Sequence, residues 1–203
     1  MIVWVDVETT GLDERAGCLL EVAVVATDDD LAEVGGWLAP FSRVVWPASV
    51  SRDVEAWRRF VEGLDPVVRG MHVENGLFDE VLRSTYGSNL ECVKENIVTW
   101  ARALGGDLRE VPLAGSTVGF DRRWLRAHAP AFEALFSHRA IDVSSVTELA
   151  RRWVPSVYEG RPKAAKAHRA LADVRESIEY LRYYRRVGFV GGAAAAGGDR
   201  WRS

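Results

Sequence analysis

Apolar and polar positions alternate from the first residue. MIVWVDVE, residues 1–8, and LLEVAVVATDD, residues 19–29, are apolar and rich in β-branched side chains, which predicts two strands. The intervening TTGLDERAG carries the turn residues that would reverse the chain between them. WLAPFSRVVWP, residues 37–47, predicts a third strand, interrupted by Pro40 or confined by it to a sheet edge. Three such runs in succession predict a meandering antiparallel start.

From about Ser49 the period changes. SRDVEAWRRFVEGL and DPVVRGMHVENGLFDEVLRSTYG, together residues 51–87, read as short helices separated by Gly and Pro. NLECVKENIVTWARALGG, residues 89–106, has apolar residues at helical spacing and a Gly pair as its stop. VPLAGSTVGFD, residues 111–121, reverts to a strand ending in a Gly-rich turn and an aspartate. DRRWLRAHA follows, then DVSSVTELARRWV with Asp142 or Ser144 as its N-cap, and then a long helix over residues 168–187. Strands first, then helices with a late strand returning to the sheet, predict α/β or α+β architecture around one mixed central sheet. A chain of 203 residues suits one domain, over residues 1–187, with a low-complexity tail at 188–203 read as disordered.

Composition narrows the functional classes. A hydrophobic fraction of 48% with eight Trp, seven Phe and five Tyr argues for a well-packed globular protein. A net charge of −3 gives no global basic field for a long nucleic acid, but it leaves room for short or single-stranded substrates held by a few contacts and by bound divalent cations. The basic clusters Arg122–Arg123, Arg151–Arg152 and Arg185–Arg186 read by default as solvated faces and local ion pairs. Two cysteines without CxxC spacing support neither a disulfide framework nor a zinc site and fit a reducing compartment. No basic leader opens the sequence and no uncharged apolar stretch reaches the length of a membrane span, so the expectation is a cytoplasmic protein without membrane association.

The candidate chemistry lies in carboxylates. On a strand, residues i and i+2 share a face, so Asp6 and Glu8 project together with Cα atoms roughly 6.6 Å apart at about 3.3 Å per residue. A lone DxE is more often a solvated pair or a turn cap. Asp121, alone, reads as an ordinary helix N-cap, and Asp173 as a partly exposed charge favoured by the helix dipole. His168, five residues before Asp173, reads alone as structural or solvated.

As a set they read differently. Four carboxylates from three separate elements are hard oxygen donors that suit Mg²⁺ or Mn²⁺ far better than zinc. The chemistry that uses such a set is phosphodiester hydrolysis with two cations about 3.5–4 Å apart and a histidine that takes the proton of the attacking water. In that scheme Asp6 bridges, Glu8 and Asp173 complete one metal's shell, Asp121 holds the other or orients its waters, and His168 is the general base.

These residues lie in three blocks, WVDVETTGL, AGSTVGFDRRWL and HRALADVRESIEYLRYYR, and together with a fourth, HRAIDVSSVTELARRW, the blocks resemble the oligoribonucleases. That group belongs to the DEDDh 3′→5′ exonucleases of the ribonuclease H-like fold, and the H-x₄-D spacing of His168 and Asp173 marks the histidine subtype. The resemblance spans residues 1 to about 187. It implies a mixed sheet flanked by α-helices and metal-dependent removal of 5′-mononucleotides from the 3′ end of very short single-stranded RNA, down to dinucleotides. It also implies a homodimer in which one subunit contributes to the other's substrate pocket. By position, Asp6, Glu8, Asp121 and Asp173 are then metal ligands and His168 the base; Leu12 contacts the bases, His72 lies near the substrate, and Thr117, Arg139 and Ser144 gather around its 5′ phosphate.

The sequence also departs from that pattern. Oligoribonucleases usually carry a tryptophan before the Arg-x-His stretch, where this chain has LDPVVRGMH, so the aromatic platform for the second base is either missing or supplied by another residue such as Trp57. Their second motif usually reads GNSxGQD; here GSTVGFD places Ser116 and Phe120 at the amide positions, and His138 precedes the arginine. A helix-like insertion occupies residues 51–62. None of these changes touches the five catalytic positions. They keep open two alternatives: a DEDDh exonuclease acting on single-stranded DNA, RNA 3′ tails or a specialised dinucleotide, and a non-catalytic nucleic acid-binding protein on the same fold.

Overall fold

The protein is described by a computed structural model, in which residues 1–34, 38–163 and 167–190 are described. Five strands form one sheet: β1 (Ile2–Thr9), β2 (Leu19–Thr27), β3 (Phe41–Val44), β4 (Leu113–Gly115) and β5 (Ala140–Asp142), in the order β3-β2-β1-β4-β5. The first three pair antiparallel, while β4 pairs parallel with β1 and β5 parallel with β4. This is the expected mixed α/β sheet of ribonuclease H-like type. The edge position of β3, directly after Pro40, leaves the missing proline N–H outside the ladder.

Two details differ from the sequence reading. The strand expected over residues 111–121 shrinks to Leu113–Gly115, because Thr117 turns left-handed (φ 58°) and a helix begins at Val118. β5 was not expected, since three residues are too few to show an alternation and the helical period begins at once after them.

Helices cover both faces: α1 (Val54–Glu62), α2 (Pro66–Glu74), α3 (Leu77–Arg83), α4 (Leu90–Ala103), α5 (Val118–His128), α6 (Pro130–Glu133), α7 (Val143–Trp153), α8 (Pro155–Glu159) and α9 (Ala170–Tyr184). Asp142 is the N-cap of α7, its carboxylate accepting the N–H of Ser144. Gly76, at φ 75°, supplies the left-handed residue that separates α2 from α3. A π-type turn at Arg185–Val190 follows α9, and residues 191–203, most of the expected tail, lie outside the described residues. Among the described residues no helix is long and apolar enough to cross a membrane.

Strand alternation assigns the faces. Val3, Val5 and Val7 pack with Val22 and Val24 against residues of α4, α5 and α6. Trp4, Ala23, Val25 and Ala114 pack against Ala170, Val174 and Ile178 of α9. Asp6 and Glu8 share the parity of Trp4, so they lie on the face that α9 covers. Burial of Val174 and Ile178, at about 1.5–3 kcal/mol each, anchors α9 there and fixes where its first turn ends up.

Candidate metal centre

Asp6 and Glu8 stand on the last turns of β1 where it outruns β4, and the first turn of α9 sets Asp173 beside them. One carboxylate oxygen from each of the three lies within 4.8 Å of the others. Asp121 arrives from the opposite face, on the first turn of α5, and is 3% exposed. Its Oδ1 accepts the N–H of Val7, the residue between Asp6 and Glu8, at 3.0 Å. Glycine is required in β4 for this approach: a Cβ on Gly115 would sit 2.7 Å from the carbonyl oxygen of Val5.

The carboxylates resist their own ionisation. Burial, followed by the charges of Asp121, Glu8, Asp173 and Glu21, holds Asp6 well above the usual carboxylate range. Glu8 is pushed up to about 8, first by burial and then by Asp173 and Glu21. Burial lifts Asp121 to about 7 against the opposing Val7 hydrogen bond, and lifts Asp173 to about 6, with Glu176 adding to the rise and His168 opposing it. A cluster of hard oxygen donors that raise one another in this way fits a divalent cation, which would offset the repulsion and favour the ionised forms.

The two histidines occupy different environments. His168 is exposed, immediately before α9, in a left-handed backbone conformation (φ 47°) that non-glycine residues rarely adopt. His72 is fully buried on α2. Its Nε2 donates to the carbonyl oxygen of Thr9 at 3.0 Å and stands 4.0 Å from the Glu8 carboxylate. Burial pulls its pKa down, so the ring behind Glu8 is neutral.

Of the other expected site residues, Leu12 is 82% exposed and borders a cavity of about 180 Å³ shared with Glu8, Thr9, Val68, Met71 and Phe120. Thr117 and Ser144 come together, with their hydroxyls 3.0 Å apart. Asp142 Oδ1 accepts the backbone N–H groups of both, at 3.0 and 2.9 Å. Arg139 is exposed one residue before β5, where its backbone N–H donates to the Ser137 hydroxyl at 3.2 Å and its carbonyl accepts from Arg122 at 3.1 Å. Trp57 is no platform, because it is buried among Trp46, Phe60 and Phe78 under α1.

The basic clusters are engaged locally. Arg122 is buried against Glu133 at 2.7 Å, Arg151 pairs with Glu148 at 3.0 Å, and Arg185 pairs with Asp30 at 2.5 Å. Sequence reasoning missed Glu21 and Arg169, which meet beside the site. The signal was present: Glu21 is the single charge within the apolar run LLEVAVVA.

Known proteins resemble the chain in sequence and in fold. A family model described as an exonuclease matches residues 92–181. The oligoribonuclease of Nocardia farcinica is 38% identical over 190 residues, covering 94% of this chain and 82% of that protein. The oligoribonuclease of Mycobacterium sp. strain KMS is 39% identical over 189 residues, covering 93% and 81%. Among solved structures, a zinc-bound complex of Escherichia coli exonuclease I with single-stranded DNA superposes with a TM-score of 0.61 over 92% of this chain at 16% identity. That likeness shows the fold, and the matched part is 40% of the exonuclease I chain.

Proposed function

The chain belongs to the oligoribonuclease family and is a 3′→5′ exoribonuclease, and on that premise we propose that residues 1–187 form a domain that hydrolyses short oligoribonucleotides, down to dinucleotides, to 5′-mononucleotides. The observation that carries the reading is the convergence of Asp6, Glu8 and Asp173 within 4.8 Å, with buried Asp121 tied to the same strand.

Asp6, Glu8 and Asp173 would hold one divalent cation, Mg²⁺ or Mn²⁺, and Asp121 would help to hold a second. The chemistry such cations would supply there is Lewis acidity toward a water and toward the leaving oxygen. His168, open to solvent beside Asp173, accepts the proton of the attacking water. His72 supports Glu8 from behind and, being buried, acts on substrate only through it.

Leu12, Met71 and Phe120 line the slot beside Glu8 and take the base of the terminal nucleotide, so the aromatic surface comes from the residue next to Asp121. Thr117 and Ser144 present paired hydroxyls to the 5′ phosphate. A homodimer, in which the exposed Arg139 of one subunit serves the 5′-phosphate pocket of the other, is part of the same proposal. Unpaired Cys18 and Cys92 suit a reducing compartment, and the cytoplasm is part of the same proposal.

A length series tests the substrate assignment. Cleavage of 5′-labelled dinucleotides should outpace that of seven-mers under limiting enzyme. Equal rates would remove the dinucleotide preference, and faster cleavage of matched DNA oligomers would overturn the assignment to RNA.

A further inference from the structure

His168 occupies a backbone conformation that persists in a non-glycine residue only when its surroundings hold it. The residues around it do so from three elements. The side-chain amide of Asn75, at the C-cap of α2, donates to the His168 carbonyl, while its Oδ1 accepts the N–H of Leu77 at 2.9 Å. The guanidinium of Arg169 donates to Glu21 of β2 through Nε at 3.0 Å and Nη2 at 3.1 Å, and also reaches Glu80 of α3. Arg169 is the N-cap of α9, yet its side chain caps nothing; the Glu21 carboxylate instead accepts the N–H of Ala170 at 3.1 Å.

We propose that Glu21 and Arg169 form a latch that positions His168 over the carboxylate cluster. Glu21 is buried and lies directly across the ladder from Glu8, so the latch refers the start of α9 to the same strand pair that carries Asp6 and Glu8. The backbone at His168 sets where its side chain departs, and the two peptides that follow it are held, the first by Asn75 at the His168 carbonyl and the second by Glu21 at the Ala170 N–H. Glu21 and Arg169 are positioning residues in this account, and the inference rests on the assignment of His168 as the base.

The test uses the charge signs of the latch. Glu21→Gln removes a negative charge near the metal ligands and Arg169→Gln removes a positive one, so an effect through metal affinity would move the two variants in opposite directions. The latch predicts that both lower kcat by about 10- to 100-fold, with KM and Mn²⁺ affinity little changed. It also predicts that neither lowers the residual rate further in a His168→Ala background. Should Glu21→Gln fail to fold, Arg169→Gln, whose side chain is partly exposed, carries the test alone. Wild-type kcat in the latch variants, or losses that add fully to that of His168→Ala, would overturn the latch while leaving the base in place. Full activity of His168→Ala itself would overturn the base assignment and the latch with it.

Discussion

Glu8 and Glu21 face each other across the β1–β2 ladder, two buried carboxylates in a position where like charges repel. Their partners differ. Glu21 is taken up by the Arg169 guanidinium and the first amide of α9, whereas Glu8 faces the neutral ring of His72 and the carboxylates of Asp6 and Asp173. One glutamate is thereby committed to the fold, and the other stays available for the proposed cation.

That asymmetry sets a pH dependence of stability. Glu8, Asp121 and Asp173 rise from 4.5, 3.8 and 3.8 to about 8, 7 and 6, so the metal-free folded protein binds more protons than the unfolded chain. The stability these groups contribute is fully present below about pH 4 and is lost as pH rises through about 6, 7 and 8. Divalent cations bind the ionised forms and reverse the loss. Thermal melts in EDTA and in Mn²⁺ should therefore diverge progressively from pH 5.5 to pH 8.5, and a metal-induced rise in Tm that is the same at both ends would contradict this.

Asp121→Asn separates charge from architecture. The amide oxygen would still accept the Val7 N–H, so the fold should be kept, while the proposed metal ligand loses its charge. We expect kcat to fall by about 10³-fold or more with a near wild-type melting temperature. Activity within tenfold of wild type would remove Asp121 from the metal centre.

The slot beside Glu8 predicts a different signature. Phe120→Ala should weaken dinucleotide binding by about 1–3 kcal/mol, the usual worth of one base stacked on an aromatic ring, and Leu12→Ala by less, both acting mainly on KM. Trp57→Leu, altered under α1, should reduce stability instead and leave KM unchanged. Calorimetric titration of a non-hydrolysable dinucleotide onto the three variants distinguishes these outcomes.

His72→Ala removes a fully buried ring and leaves the Thr9 carbonyl without its donor, a combined cost of about 3 kcal/mol. Denaturant unfolding measures it. Because the ring lies behind Glu8, metal affinity should fall as well, and a variant as stable as wild type would contradict the supporting role.

Much of this was legible in the sequence, for identifiable reasons. The alternation of β1 and β2 is long and clean, so the antiparallel start and the shared face of Asp6 and Glu8 followed from period alone. β5 and the shortening of β4 were not legible, because three-residue strands carry no period and the turn at Thr117 depends on Asp142, distant in sequence, accepting its N–H. Trp57 misled because an aromatic residue gives no sign in sequence of whether it is buried. The partnership of Glu21 with Arg169 is a pairing across 148 positions, which only the docking of α9 on the sheet reveals.

Four carboxylates and a histidine make up the proposed metal-dependent exoribonuclease centre. Its most direct test is product analysis on 5′-labelled oligoribonucleotides with Mg²⁺ or Mn²⁺, for the wild type and for Asp121→Ala. The account predicts stepwise release of 5′-mononucleotides from the 3′ end by the wild type, abolished by EDTA and by the substitution. Inactivity of the folded wild type on RNA from two to about twenty nucleotides, under either metal, would contradict it.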